Sequence, residues 1–121
     1  MKVIIAGGRD FKDFSLLKAK FLELIKTKDR EDKDITIISG TARGADKLGI
    51  LLSIMLYINL EKYPANWSKY GKSAGYRRNH EMANNATHLL AFWDGKSKGT
   101  KHMIDIATQK GLQVTVVPYS N

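Results

Sequence analysis

The sequence predicts an α/β chain of Rossmann-like type: three layers, α/β/α, around a five-stranded, mainly parallel sheet. Three observations lead there. Short runs that are mostly apolar, such as Val3-Ile4-Ile5-Ala6, Ile35-Thr36-Ile37-Ile38 and Leu89-Leu90-Ala91-Phe92, alternate with longer stretches of helical spacing. A strand apolar on both faces is one that helices cover on both sides, the condition of a parallel sheet. The turns after the first, second and fourth strands are the loops richest in Gly with Arg or Lys, and in such sheets ligands sit beyond the carboxyl ends of the strands.

In chain order, Lys2 to Ala6 reads as a buried first strand that ends in Gly7-Gly8-Arg9-Asp10-Phe11. A first helix follows, with Asp13 or Ser15 as N-cap and Phe14, Leu17, Phe21, Leu24 and Ile25 on its apolar face. Lys26 to Asp34 carries nearly balanced charge and reads as a solvated loop. Ile35 to Ser39 is the second strand, and Ala42 to about Leu56 the second helix. A short third strand lies near Ile58 to Tyr63, stopped by Pro64. The Gly-, Ser- and Lys-rich segment Asn66 to Ala74 reads as a loop before a third helix over about Tyr76 to Asn84. Thr87 to Trp93 is the fourth strand, in which Phe92 and Trp93 face opposite sides of the sheet. A fourth helix from about Thr100 to Lys110 ends at Gly111, and Leu112 to Val117 forms the last strand before Pro118.

The 121 residues suit one compact domain over 1–121. The N-terminus turns to glycine after four apolar residues, unlike a signal peptide, and Leu48 to Leu60 is too short and too polar at Ser53 and Asn59 to span a bilayer. No membrane partner is expected. Without cysteine there is no disulfide or thiolate chemistry, which fits a cytoplasmic location. Twenty Lys and Arg against 12 Asp and Glu give a formal charge of +8, so an anionic partner, nucleotide or nucleic acid, is expected. The Leu48 to Leu60 segment is apolar nearly all round, which predicts a homo-oligomer, a dimer or larger, with a covering loop as the alternative.

The richest motif is Ser39-Gly40-Thr41-Ala42-Arg43-Gly44-Ala45-Asp46. A strand that ends in a Gly-bracketed turn and opens a helix presents free backbone N–H groups and the positive end of a helix dipole. Ser39, Gly40, Arg43, Gly44 and Asp46 are therefore candidate ligand residues, Arg43 supplying a planar fork for phosphate. Asp46 either orients Arg43 or accepts from a ribose hydroxyl. In the first turn Gly7, Gly8 and Arg9 are candidates, although Gly-x-Gly-x-x-Gly is absent. Of the neighbours Arg77 and Arg78 only one can face the cleft. Asn79 lies beside them, and Asp94, Gly99 and Thr100 surround the fourth turn, where Thr100 either meets phosphate or caps the helix. Trp67 is a candidate for stacking on a base.

Some motifs are excluded. Gly-Lys-Ser occurs at Gly71 and Gly95, but the upstream Gly positions hold Asn66 and Leu90, so neither is a P-loop. His80-Glu81-Met82-Ala83-Asn84 lacks the second His of a zinc motif, so no metal is expected. His88 reads as structural, whereas His102 is a candidate for proton transfer.

Together these blocks resemble the SLOG superfamily, which unites Smf/DprA-type proteins with the LOG phosphoribohydrolases. The likeness rests on Gly7 to Phe11, Ser39 to Asp46, Gly71 to Asn79 and Ala91 to Thr100, and is nearest to the small YspA-like members of phages and bacteria. It implies a nucleotide or nucleotide-derived ligand bound in the cleft between these turns, with Arg78 matching the LOG-type Arg and no further cofactor. The LOG glutamate, aligned on Gly99-Thr100, is replaced by Met103. The resemblance therefore implies a sensor or sequestering protein rather than an enzyme. The alternatives are a nucleotide hydrolase using Asp94, Glu81 or His102, and a single-stranded nucleic-acid binder of the DprA type.

Overall fold

The structure is a computed structural model that describes residues 1–26 and 34–120. The expected solvated loop between Lys26 and Asp34 lies almost wholly outside the described residues. The elements are β1 (Lys2–Gly7), α1 (Phe14–Lys26), β2 (Thr36–Ser39), α2 (Ala45–Met55), β3 (Asn59–Lys62), α3 (Trp67–Tyr70), a 3-10 turn (Gly71–Ser73), α4 (Ala74–Asn84), β4 (His88–Trp93), α5 (Lys98–Gln109) and β5 (Gln113–Pro118). All four strand pairings are parallel, in the order β3-β2-β1-β4-β5. The expected Rossmann-like α/β/α architecture is the one observed.

The apolar runs form β1 and β4 because both of their faces are buried. Side chains alternate across a strand, so Val3 and Ile5 join Phe21, Leu52 and Phe92 in the core under α1 and α2. Ile4 and Ala6 join Met82, Leu89, Met103 and Ile106 in the core under α4 and α5. The pairs Val3↔Ile37 and Ile5↔Leu90 fix the register across the centre of the sheet. The chain lays β2 and β3 on one side of β1, then crosses to place β4 and β5 on the other. Strand order therefore reverses between β1 and β4, and the loops that leave these strands diverge and open a crevice.

Several boundaries depart from the sequence expectation for local reasons. Asp13 rather than Ser15 caps α1, its carboxylate accepting the Leu16 N–H at 3.0 Å. Helix α2 starts at Ala45, not Ala42, because Thr41 (φ 66°) and Gly44 (φ 78°) take left-handed conformations that a helix cannot include. The segment read as a loop from Asn66 to Ala74 is helical: the Asn66 side chain caps α3 by accepting the Lys69 N–H. Helix α5 begins at Lys98 with Ser97 as its cap, so Thr100 lies inside the first turn and is not the cap. Pro118 belongs to β5, where it opposes Trp93 on the sheet edge. No helix among the described residues is long and apolar enough to cross a membrane. The apolar second helix keeps Leu52 buried but leaves Leu51, Ile54 and Met55 exposed, and Tyr57 just beyond it is 97% exposed.

Candidate functional site

The crevice carries two adjoining cavities. The first, of about 250 Å³, lies between the starts of α4 and α5 and reaches down to Ala6 at the end of β1. Its floor includes Met82 and Met103, each 1% exposed. The second, of about 340 Å³, lies over the turn after β2 and is lined by Gly40, Thr41, Ala42, Arg43 and Lys47. Arg9, Ala42, Trp67 and Arg78 line both. A third hollow beside them collects Gly8, Arg9, Asp10, Asp94, Ser97 and Gly99.

The turn after β2 is built from within. The buried Ser39 hydroxyl donates to the Asp46 carbonyl at 3.0 Å and accepts the Thr41 N–H at 3.1 Å. Asp46, in the first turn of α2, bends back so that its carboxylate accepts the Ala42 N–H at 3.2 Å. Gly40 leaves room for both side chains: a Cβ at this position would sit 2.6 Å from Arg78 Nη1 and 2.8 Å from Asp46 Oδ2 and would displace those ends. At Gly44 a side chain would add strain at positive φ to a clash, 2.1 Å from the Gly8 carbonyl oxygen. A β-branched residue at positive φ, as Thr41 is, persists only where its surroundings hold it.

Arg78 enters from α4 on the opposite face of the sheet. Its Nη1 donates to the Gly40 carbonyl, and its Nε donates to Asn79 Oδ1 at 3.1 Å. Asn79 is buried and reaches α5, with Nδ2 3.4 Å from the Gly99 carbonyl and 3.1 Å from His102 Nδ1. The guanidinium is thereby aimed at the crevice, while Arg77 points away and lies 4.4 Å from the Tyr70 ring centroid. Partial burial lowers the Arg78 pKa and the Asp46 carboxylate opposes that shift. Burial pushes Asp46 up to about 6, against the pull of Arg78, the Ala42 and Gly7 amides and Arg9.

Of the expected site residues, Arg9, Gly40, Arg43, Asp46, Arg78, Asn79, Gly99 and Thr100 line the two main cavities. Gly8 and Asp94 line the third hollow. Asp94 Oδ1 accepts the Lys96 and Ser97 N–H groups at 2.8 Å each, which holds its pKa below the ordinary value. Ser39 is buried behind the turn, and Gly7, Ser39 and Gly44 line none of the three cavities. The Asp46 carboxylate feels the charges of Arg78 and Arg9, and no Asp46–Arg43 ion pair occurs among the described residues. Thr100 is buried and its hydroxyl is 3.1 Å from Ser97 Oγ. His102 lies tilted against Tyr76, ring centroids 4.4 Å apart, outside both main linings, and burial and His80 lower its pKa. Among the described residues no group of three His, Cys, Asp or Glu side chains is placed to hold a metal.

The sequence reading did not single out Lys47, Lys72 or Tyr76. Lys47 follows Asp46 in the first turn of α2, which is the signal that would have found it. Lys72 belongs to a Gly-Lys-Ser excluded as a P-loop, yet it lines the first cavity.

Residues 1–70 match the model of the YspA, cpYpsA-related SLOG family. The chain belongs to that family. The SLOG fold is seen again in the X-ray structure of DNA processing protein A (DprA) from Streptococcus pneumoniae, similar with a TM-score of 0.71 at 17% identity. The likeness covers 98% of this SLOG chain and 50% of the DprA chain, so this chain spans about half the length of that neighbour. No curated protein matches it.

The Asp46 pKa, about 6 folded against an ordinary 3.8, sets a pH dependence. The folded state binds this proton more tightly than the unfolded chain, so the contribution is full below about pH 4 and is lost as pH rises to about 6. The difference corresponds to roughly 3 kcal/mol. In urea unfolding, the stability of the wild type relative to Asp46→Asn should fall by that order between about pH 4 and about pH 6.5. A difference that stays flat contradicts the assignment.

Proposed function

We propose that this SLOG chain binds a nucleotide or nucleotide-derived ligand in the crevice at the carboxyl ends of β1, β2 and β4, as a sensor or sequestering protein. The observation that carries the reading is the convergence of Arg9, Arg78 and Trp67 on both cavities. They offer cationic forks for phosphate and an indole, 54% exposed, for a base.

Capture rather than hydrolysis is supported by the cavity wall. Met103 stands where the LOG glutamate aligns, and Asp46, the only carboxylate in that lining, already accepts the Ala42 N–H. The competing reading, single-stranded nucleic acid, is supported by the +8 charge and by the fold shared with a DNA processing protein. We further propose one cytoplasmic domain over 1–121 that self-associates through the exposed α2 face of Leu51, Ile54, Met55 and Tyr57.

A thermal-shift series with mononucleotides, dinucleotides and short oligonucleotides tests the reading, since a ligand bound only by the folded state raises the midpoint. Arg9→Ala should weaken the best small ligand about tenfold or more, the scale of one lost charged hydrogen bond. Shifts confined to oligonucleotides and abolished by salt would replace this reading with the nucleic-acid one. Sedimentation should give a dimer that Ile54→Lys converts to monomer; a monomeric wild type removes the self-association proposal.

A further inference from the structure

We infer that the ligand is a nucleoside bearing at least two linked phosphates, its base and sugar in the Met-floored cavity and its phosphate chain over the turn after β2. This deepens the nucleotide reading and rests on it. The two cavities differ in chemistry although they share a wall. The first has the apolar floor of Ala6, Met82 and Met103, with Trp67 and Tyr76 at its rim. The second has no carboxylate in its lining and gathers Arg9, Arg43, Lys47 and Arg78.

The charges set the minimum size of the anion. The Asp46 carboxylate offsets part of the Arg78 charge. No ion pair with a described residue engages Arg9, Arg43 or Lys47. A single terminal phosphate brings about −1.5 to −2 charges, which leaves at least one of these cations unmatched. A second phosphate supplies the remaining charge and the reach. Arg9 and Arg78 line both cavities and so stand where the first phosphate would leave the sugar, while Arg43 and Lys47 line only the second, where the chain would continue. The position of Thr41 at φ 66° fits the same use, because the turn's conformation is held by Ser39 and Asp46 before any ligand arrives.

Isothermal titration of the full chain with the four common nucleoside 5′-monophosphates and their 5′-diphosphates tests this. At least one diphosphate should bind about tenfold tighter than its monophosphate, the scale of one added charged contact. Arg43→Ala, and separately Lys47→Ala, should weaken diphosphate binding several-fold more than monophosphate binding and so remove most of that preference. Both side chains are exposed, so both variants should keep the fold. Equal affinity for the two series, or a variant that weakens both alike, overturns the inference and leaves the nucleotide reading standing. Failure of every nucleotide to bind overturns both.

Discussion

The contact on which the site depends is the buried Asp46 carboxylate set between the turn after β2 and Arg78 of α4. It reaches both helical layers through the gap where strand order reverses. From α2 it accepts the Ala42 amide, and Arg78, arriving from the other face, donates to Gly40 in the same turn. A buried carboxylate is costly alone, and the nearby guanidinium lowers that cost. The hydrogen bonds of Arg78 to the Gly40 carbonyl and to Asn79 fix where it can point. The turn cannot be occupied by side chains at Gly40 or Gly44 without displacing these groups or the Gly8 carbonyl. Shape and charge in the crevice thus have one origin.

The rest of the site is arranged around that fixed point. Asn79 carries the constraint onward to α5 through Gly99 and His102, so three helices set the walls of one cleft. Arg9, Arg43 and Lys47 make no ion pair with a described residue, although the Asp46 carboxylate feels the Arg9 charge. Their charges are therefore available to an anion, whereas Arg78 serves the fold and the cleft together. The division explains why a turn this polar can be rigid: its internal hydrogen bonds are satisfied by Ser39, Asp46 and Arg78, not by the ligand.

Much of this was legible in the sequence, and the exceptions have physical causes. The apolar runs placed β1, β2 and β4 because burial on both faces leaves few other choices of residue. Strand alternation separated Phe92, which stacks on Phe11 at 4.5 Å, from Trp93, whose indole donates to the Ser97 carbonyl. Of two adjacent arginines, Arg78 was the one matched to the cleft, and it is the one found there. Helix α3 was hidden because a single Asn66 cap organises residues of ordinary loop composition. The start of α2 was misplaced because nothing in the letters Thr41-Ala42-Arg43 announces a threonine at positive φ. The nearness of Asp46 to the charge of Arg78 was hidden for a similar reason: the two are 32 positions apart in sequence and approach only through the crossover from β3 to β4. Lys47 and Lys72 escaped because solvent-exposed lysines look alike until the fold places them.

The central claim is that the crevice at the β1/β4 switch point, and no other surface, takes the phosphate-bearing ligand. Amide chemical-shift mapping by NMR during titration with a nucleoside diphosphate tests it most directly. The account predicts saturable shifts concentrated in Gly8 to Asp10, Gly40 to Lys47 and Gly75 to Asn79. Shifts centred on the exposed face of α2 would contradict it.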